Sequence, residues 1–153
     1  MKKSKTKILL VDDEPDILEI VGYNLAQEGY QIIKAENGKI AIEKAKKELP
    51  HLIIMDVMMP EMDGMEACEN IRKIPELKNV IITFLTARSE DYSQVAGFDV
   101  GADDYITKPI KPKLLVSKVK ALLRRLKEEE QNSETLNLGG IEINREEYKI
   151  IKD

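Results

Sequence analysis

Residues Lys7–Glu28, KILLVDDEPDILEIVGYNLAQE, combine a short apolar run with a longer amphipathic segment. The run Lys7–Val11 predicts a strand, and Asp12 and Asp13 follow it directly. Pro15–Glu28 predicts a helix, because proline is favoured in a first helical turn, apolar residues recur there at four-residue spacing, and a glycine comes next. The segment is therefore expected to form one β-α unit with acidic residues at the carboxyl end of its strand.

The same alternation recurs four more times along the chain. The further strands are predicted at 30–35, 52–55, 80–85 and 105–107. The helices that follow them are predicted at 38–49, 65–74, 91–100 and 112–127. Five such units predict an α/β fold: a doubly wound parallel sheet with helices on both faces, which binds its ligands at the carboxyl ends of the strands.

Composition narrows the function classes. The chain has 153 residues, 42 % hydrophobic and 34 % charged, which is a globular balance and enough for one domain with a fragment of another. A net charge of -4 and a pI of about 5.3 argue against nucleic-acid binding by this segment itself. One cysteine excludes a disulfide framework, and the apolar runs are too short for a signal peptide or a membrane helix. A cytoplasmic protein without a membrane partner is expected.

Side chains suited to phosphate chemistry follow four of the five predicted strands. Asp12 and Asp13 follow the first strand, Asp56 the third, Thr86 the fourth and Lys108 the fifth. The carboxyl ends of parallel strands share one edge, so these groups are expected to converge. Three close carboxylates call for a hard cation, and Mg²⁺ suits them because it also bridges to phosphate oxygens. A carboxylate there can act as a nucleophile toward phosphorus.

Four separated stretches resemble the receiver domains of bacterial two-component response regulators. They are Ile8–Asp13 (ILLVDD), Leu52–Gly64 (LIIMDVMMPEMDG), Leu85–Ala87 (LTA) and Gly101–Pro109 (GADDYITKP). The resemblance covers about residues 5–127. It implies a flavodoxin-like (βα)5 fold with the strand order 2-1-3-4-5.

The resemblance also implies a role for each residue of the acidic edge. Asp56 would accept a phosphoryl group from a sensor histidine kinase. Asp13, Asp56 and the backbone carbonyl of Met58 would bind Mg²⁺ directly, and Asp12 would bind it through water. The domain would then catalyse only its own phosphorylation and slow dephosphorylation, as a signalling domain rather than an enzyme.

Residues of the last two strands would carry the switch in such a domain. Thr86 would hydrogen-bond the phosphoryl group, and Lys108 would pair with it. Tyr105 would turn inward when Thr86 moves, and the Lys108–Pro109 peptide bond would be cis. These assignments rest on the resemblance alone.

Residues after 127 are expected to lead into a second domain. The receiver is assigned to 1–127 and a linker to 128–134, a segment that also fits the frayed end of the last helix. Residues 135–153 alternate apolar and polar side chains and resemble the opening strands of the winged-helix DNA-binding domain found in the OmpR/PhoB-type subfamily of response regulators. The chain is expected to be cut early in that domain, so DNA would be bound only through the missing part.

The subfamily implies a homodimer of phosphorylated receivers through the fourth helix, fifth strand and fifth helix. The residues that match its charged contacts are Asp103 or Asp104, Lys118, and Arg124 or Arg125. Gln94 and Leu114 stand where the subfamily usually has a basic and an acidic residue. Because an exposed ion pair contributes little, about 0–1 kcal/mol, we expect dimerisation to survive with altered affinity or partner choice, through an apolar contact of Leu114.

Simpler interpretations exist for single residues. Asp12 and Asp13 would serve as helix N-caps, Asp56 as an ordinary carboxylate at a strand end, and Tyr105 as a half-buried strand residue. His51 is assigned no role. The combination of the four motifs favours the functional interpretation.

Other function classes fit less well. Dinucleotide binding needs a glycine-rich first turn, where this chain has acidic residues. A phosphatase of the haloacid-dehalogenase type would place an aspartate at the position of Met58. The remaining alternatives are a receiver that takes no phosphate, and a stand-alone receiver that acts through protein contacts or as a phosphate sink without DNA binding.

Overall fold

The structure is a computed structural model that describes residues 5–87 and 101–139, with side chains at 5–86 and 101–126. The strands are β1 (Lys7–Val11), β2 (Gln31–Ala35), β3 (Leu52–Asp56), β4 (Ile81–Ala87) and β5 (Asp104–Lys108). The helices are α1 (Pro15–Gln27), α2 (Gly38–Glu48), α3 (Gly64–Arg72), a 3₁₀ turn (Pro75–Leu77) and a C-terminal helix (Pro112–Gly139).

The five strands form one parallel sheet in the order β2-β1-β3-β4-β5, which confirms the predicted order. Parallel neighbours need a crossover connection, and a helix supplies it after each of the first three strands. The central strands β1 and β3 are almost wholly buried, whereas the edge strand β2 has exposed positions. Strands buried on both faces read as continuous apolar runs, which explains why short apolar runs, rather than alternation, identified them.

The two faces of the sheet are covered by different helices. Leu9 and Ile53 pack in a buried cluster with Ala41 of α2 and Ile71 of α3. Their neighbours in the strands point to the opposite face, where Leu10 and Ile54 line a small void with residues of α1. The predicted arrangement, helices on both faces of a parallel sheet, is confirmed.

Two helices begin at side-chain caps that the sequence places directly before them. The Asn37 side chain accepts a hydrogen bond from the Ile40 N–H at 2.8 Å, and the Asp63 side chain accepts one from the Glu66 N–H at 2.9 Å. Such caps satisfy backbone donors that the first helical turn leaves unpaired. They fix the starts of α2 and α3.

The C-terminal helix is longer than the sequence predicted. It runs to Gly139, through the predicted linker and into the segment expected to form strands. The prediction of non-helical residues at 135–139 was wrong, because residues 126–138 contain neither proline nor glycine and are rich in glutamate and leucine, which favour a helix. The assignment of 135–153 to a second domain remains a prediction.

Some predicted elements lie outside the described residues. These are the fourth helix at 91–100, which includes Gln94, and any strands within 140–153. The chain divides into compact units at 1–119 and 120–153, and the site described below lies in the first. Across the described ranges, no helix is both long enough and apolar enough to cross a bilayer.

Candidate functional site: an acidic site at the carboxyl edge of the sheet

Asp12, Asp13, Asp56 and Lys108 meet at the carboxyl edge of the sheet, and we call these four residues the acidic site. One carboxylate oxygen from each aspartate lies within 4.8 Å of the others. The Lys108 Nζ lies 3.3 Å from Asp12 Oδ2 and 3.5 Å from Asp56 Oδ1. The convergence expected from the strand ends is therefore found.

Backbone hydrogen bonds hold two of the carboxylates in place. The Asp12 N–H donates to the Ala35 carbonyl at 3.2 Å, which continues the pairing of β1 with β2 by one residue. The Val57 N–H donates to the Leu85 carbonyl at 3.1 Å, just after Asp56 at the end of β3. Asp12 is thus held directly after β1, and Asp56 at the last position of β3.

The close approach of one glycine shapes the loop after β3. A Cβ atom built on Gly64 would lie 2.3 Å from the Asp56 carbonyl oxygen, so no other residue fits there without a backbone shift. The Gly64 N–H donates to the Val57 carbonyl at 2.8 Å, which folds the loop back over the end of β3. In the sequence this glycine stands out only as the last residue of the Leu52–Gly64 stretch, so its part in shaping the site was missed.

The charges of the acidic site are only partly balanced. Asp12 is 1 % exposed and Asp56 is 5 % exposed, whereas Asp13 is exposed. Asp12 Oδ1 accepts a hydrogen bond from the Glu14 N–H at 2.9 Å, but its Oδ2 is buried and makes no hydrogen bond besides its ionic contact with Lys108. Buried polar oxygens normally have a hydrogen-bond partner, so this atom is unusual.

Burial and mutual repulsion shift the pKa values of the buried carboxyl groups. The pKa of Asp56 is raised to about 6, first by burial and then by the charge of Asp12, against the opposing effects of Lys108 and the Met58 N–H. Burial also raises the pKa of Asp12, although the Glu14 N–H and Lys108 oppose it. Burial would lower the pKa of Lys108, but the two carboxylates outweigh it and raise that pKa.

The donor set fits a hard divalent cation. Three carboxylates and one ammonium sum to two negative charges, which a dication would neutralise. The ligand atoms are all oxygens, and the Asp12 oxygen without a hydrogen bond is the kind of acceptor that a metal-bound water would satisfy. The acidic cluster therefore has the composition of a metal site.

Met58 contributes its backbone next to the acidic site. The Met58 N–H donates to Asp56 Oδ1 at 3.3 Å, and the residue is 58 % exposed. The predicted role of its carbonyl toward a metal is not tested by these contacts.

The predicted switch residues lie in adjoining strands. Thr86 is 1 % exposed and comes one position after Leu85, the β4 residue that pairs with Asp56. Tyr105 is 8 % exposed, and its ring centroid lies 5.8 Å from that of Phe84. Tyr105 is thus buried in this structure, and its movement on activation stays a prediction. The Lys108–Pro109 bond is cis, as the resemblance implied.

The residues predicted for a dimer interface have different surroundings. Asp104 pairs with Lys118 of the same chain at 3.4 Å, whereas the Asp103 carboxylate is bound to Arg72 at 3.0 Å. Leu114 is 52 % exposed. Arg124 and Arg125 are exposed residues of the C-terminal helix. The partnership of Asp103 with α3 was missed, because nothing in the local sequence links residues that far apart.

Comparison with known proteins supports this geometry. A family model described as the response regulator receiver domain matches residues 8–120. The chain is 43 % identical over 131 residues to the alkaline phosphatase synthesis transcriptional regulatory protein PhoP of Bacillus subtilis (strain 168), covering 86 % of this chain and 54 % of that protein. It is 48 % identical over 122 residues to the transcriptional regulatory protein ResD of the same organism, covering 80 % of this chain and 50 % of that protein. The chain thus spans about half the length of these curated relatives.

Solved structures of response regulators also resemble this chain. A putative response regulator from Chloroflexus aurantiacus J-10-fl matches with a TM-score of 0.74 and 36 % identity, covering 78 % of this chain and 98 % of that one. The chemotaxis protein CheY4 of Vibrio cholerae matches with a TM-score of 0.73 and 33 % identity, covering 76 % of this chain and 97 % of that one. With the acidic site inside the matched residues, the chain belongs to the response regulator receiver domain family.

Proposed function

We propose that this receiver is activated by phosphorylation, and that Asp56 accepts a phosphoryl group from a sensor histidine kinase in a Mg²⁺-dependent reaction. The observation that carries the proposal is the meeting of three aspartates and Lys108 at one edge of the sheet. Phosphoryl transfer asks a protein mainly for positioning and for neutralisation of charge, and the acidic site offers both. The chain is a signalling domain that catalyses only its own modification and its slow reversal.

The chemistry assigned to Asp56 is nucleophilic attack on phosphorus. A bond forms between a carboxylate oxygen and phosphorus while the bond from phosphorus to the kinase histidine nitrogen breaks, and that nitrogen keeps the electron pair. With a pKa of about 6 in the absence of metal, the Asp56 carboxyl is largely ionised at pH 7, and a bound dication would favour the ionised form further. Asp56 therefore carries the charge that the attack requires.

The other residues at this edge would position the phosphoryl group and neutralise its charge. Asp12, Asp13 and the Met58 carbonyl would hold Mg²⁺ beside Asp56, and the bound ion would offset charge on the phosphoryl oxygens. Lys108, already 3.5 Å from Asp56 Oδ1, would pair with those oxygens. Thr86 would donate its hydroxyl hydrogen to one of them. An aspartyl phosphate carries about one more negative charge than the carboxylate, so both groups would be drawn toward it.

The output is proposed to be control of transcription in the cytoplasm. The phosphorylated receiver would pair as a homodimer through its fourth helix, fifth strand and fifth helix, with Tyr105 changing position. DNA would be bound by a domain beyond this segment. Support comes from the two relatives named as transcriptional regulatory proteins, of which the chain spans about half.

A stand-alone receiver is the second candidate. It is favoured by the match to the chemotaxis protein CheY4 of Vibrio cholerae, whose solved chain is 97 % covered by the matched region. Such a receiver would act through protein contacts or as a phosphate sink. An assay of binding to DNA by the full-length gene product separates the two candidates.

The proposal is tested by phosphorylation with acetyl phosphate. We expect the intact mass to rise by one phosphoryl group when acetyl phosphate and Mg²⁺ are both present, and the gain to disappear with EDTA or in Asp56→Asn. Asp16→Asn is the matched control, because Asp16 is an exposed carboxylate in the first turn of α1 and lies outside the acidic site. A mass gain that persists in Asp56→Asn, or no gain in the wild type, would overturn the proposal.

A further inference from the structure

Arg72, the last residue of α3, binds two separate loops at the amino edge of the sheet, opposite the acidic site. Its Nε and Nη2 donate to the Gly101 carbonyl at 3.2 and 2.6 Å. Its Nη1 donates to the Lys78 carbonyl at 3.2 Å and to the Val80 carbonyl. Its Nη2 also donates to Asp103 Oδ2 at 3.0 Å. We call these contacts the Arg72 clamp.

The hydrogen-bonding capacity of the guanidinium group is fully used. An arginine side chain has five N–H donors in a rigid plane, and the Arg72 clamp makes five hydrogen bonds. The side chain is only 20 % exposed. Hydrogen bonds that involve a charged group contribute more than neutral ones, so this is a strong local constraint.

The clamp also fixes the pairing of β4 with β5 where the two strands begin. Asp103 Oδ2, besides binding Arg72, accepts a hydrogen bond from the Ile82 N–H at 2.9 Å. The Asp103 N–H in turn donates to the Ile82 carbonyl at 2.7 Å. Arg72 therefore orients a carboxylate that is itself bonded to the second residue of β4.

Gly101 allows the loop to approach the guanidinium closely. Its φ is +100°, a conformation that other residues rarely adopt, and a Cβ atom there would lie 3.0 Å from the Arg72 Nε. The loop before β5 is thus shaped to present its carbonyl to Arg72. The loop before β4 presents the carbonyls of Lys78 and Val80 to the same side chain.

We propose that Arg72 is a positioning residue of the switch: it fixes the amino ends of β4 and β5 to α3, so that movement started by a phosphoryl group on Asp56 is confined to the carboxyl halves of these strands. The second half of this inference rests on the proposed function. Thr86 and Lys108 lie at the carboxyl ends of the two strands, about 15 Å from the clamp at about 3.3 Å per residue. Without the Arg72 clamp, a displacement at the carboxyl ends of β4 and β5 would be transmitted along both strands to their amino ends.

The test is amide hydrogen exchange, followed by NMR, at the N–H groups of Ile82 and Asp103. In Arg72→Gln we expect both amides to exchange about tenfold faster or more, because bonds to the charged group are lost, while Leu9 in β1 keeps its rate. Arg72→Lys keeps the positive charge but not the planar set of five donors, so it should also speed exchange at both amides. It serves as a second variant in case Arg72→Gln does not fold. Lys73→Gln removes a charge from the next residue, which is exposed, and should behave as the wild type.

The second measurement repeats the exchange with beryllofluoride and Mg²⁺, a stable mimic of the phosphoryl group. In the wild type the two clamp amides should keep their rates within about twofold while amides near Asp56 respond. In Arg72→Gln the response should extend to Ile82 and Asp103. A purely structural role for Arg72 would change the basal rates in the variant but would not make them depend on beryllofluoride.

Each adverse outcome has a distinct meaning. Unchanged clamp amides in Arg72→Gln, or faster exchange throughout the sheet, would overturn the positioning role. If beryllofluoride changes the clamp amides of the wild type as strongly as those near Asp56, the confinement fails and the proposed function stands. If beryllofluoride changes no amide in the wild type, the proposed function fails and the confinement fails with it, while the basal rates still decide whether Arg72 positions the loops.

Discussion

The carboxyl and amino edges of the sheet both place aspartates beside a single cationic side chain, yet the balance of charge and hydrogen bonds differs. At the amino edge the five donors of Arg72 all have acceptors, and Asp103 accepts from both Arg72 and the Ile82 N–H. At the carboxyl edge, Lys108 faces the carboxylates of Asp12 and Asp56, and one buried oxygen of Asp12 lacks a hydrogen bond. A satisfied cluster stabilises the fold, whereas an unsatisfied one is ready to bind an ion.

The largest effect is expected from a substitution that disrupts the loop after β3, at the carboxyl edge. Gly64→Ala should lower the free energy of unfolding by about 3 kcal/mol, because the added Cβ would lie 2.3 Å from backbone at Asp56. Gly22→Ala is the control: its Cβ would meet the flexible end of Lys34 at 3.0 Å, and alanine is the better helix former. Chemical denaturation measures both. Equal stability of Gly64→Ala and the wild type would contradict the account of the loop.

Removal of an aspartate from the amino edge should destabilise the protein. Asp103→Ala should lower the free energy of unfolding by about 2 kcal/mol, because Arg72 and the Ile82 N–H both lose a charged acceptor. Denaturant titration of the two proteins at pH 7.5 checks this. A neutral result would mean that the amino edge is not the satisfied cluster described here.

Removal of the Asp56 carboxylate from the carboxyl edge should instead stabilise the protein. The folded-state pKa of Asp56, about 6, lies above its ordinary value of 3.8, so the folded protein binds more protons than the unfolded chain between these values. The contribution of Asp56 to stability therefore falls as the pH rises from about 4 to about 6, and the deficit stays above that range. At pH 7.5, without metal, Asp56→Asn should be about 3 kcal/mol more stable than the wild type, since the pKa rises from 3.8 to about 6 and one pKa unit corresponds to about 1.4 kcal/mol.

The pH profile sharpens this prediction. Thermal unfolding in EDTA should show the gap between Asp56→Asn and the wild type closing as the pH is lowered from 7 to 4, because the wild-type carboxyl becomes protonated. Asp16→Asn should show no such convergence. A gap that widened on acidification would mean that the sign of the pKa shift is wrong.

A smaller effect is expected from the cation. Mg²⁺ at tenfold its dissociation constant should stabilise the wild type by about 1.4 kcal/mol, because it binds the folded acidic site and not the unfolded chain. Asp13→Asn, which removes the exposed carboxylate of the acidic site and leaves both buried ones, should respond less, and Asp103→Ala should respond as the wild type does. The shift in melting temperature on titration with Mg²⁺ measures this. An equal response of Asp13→Asn would exclude Asp13 as a ligand.

The smallest effect belongs to the exposed pair at the start of β5. Lys118 and Asp104 lie 3.4 Å apart with side chains 37 % and 34 % exposed. Lys118→Gln should change the free energy of unfolding by less than about 1 kcal/mol, since exposed ion pairs contribute little. Denaturation at low and high salt tests it, and a loss well above that limit would mean the pair is not solvent-screened.

Most of the acidic site was predictable from sequence because each of its members lies next to an element with a strong local pattern. Asp12 and Asp13 follow one apolar run and Asp56 another, and parallel strands bring such positions to one edge. The extension of the last helix was missed because the alternation of Leu136 and Leu138 with polar residues suits a strand as well as a turn of helix. Local pattern alone did not decide between the two.

The amino-acid sequence by itself determined the order of strands and helices, the burial of the central strands and the place of the carboxylates, since these follow from periodicity and from residues adjacent in the chain. Only the tertiary structure decided that Arg72 binds Gly101 and Asp103, 29 and 31 residues away, and that Gly64 lies against the Asp56 backbone. Such contacts depend on distances between separately folded segments, which no local pattern encodes. The same long-range packing gives Asp103 hydrogen bonds from Arg72 and Ile82, and leaves Asp12 Oδ2 with an ionic contact to Lys108 but no hydrogen bond.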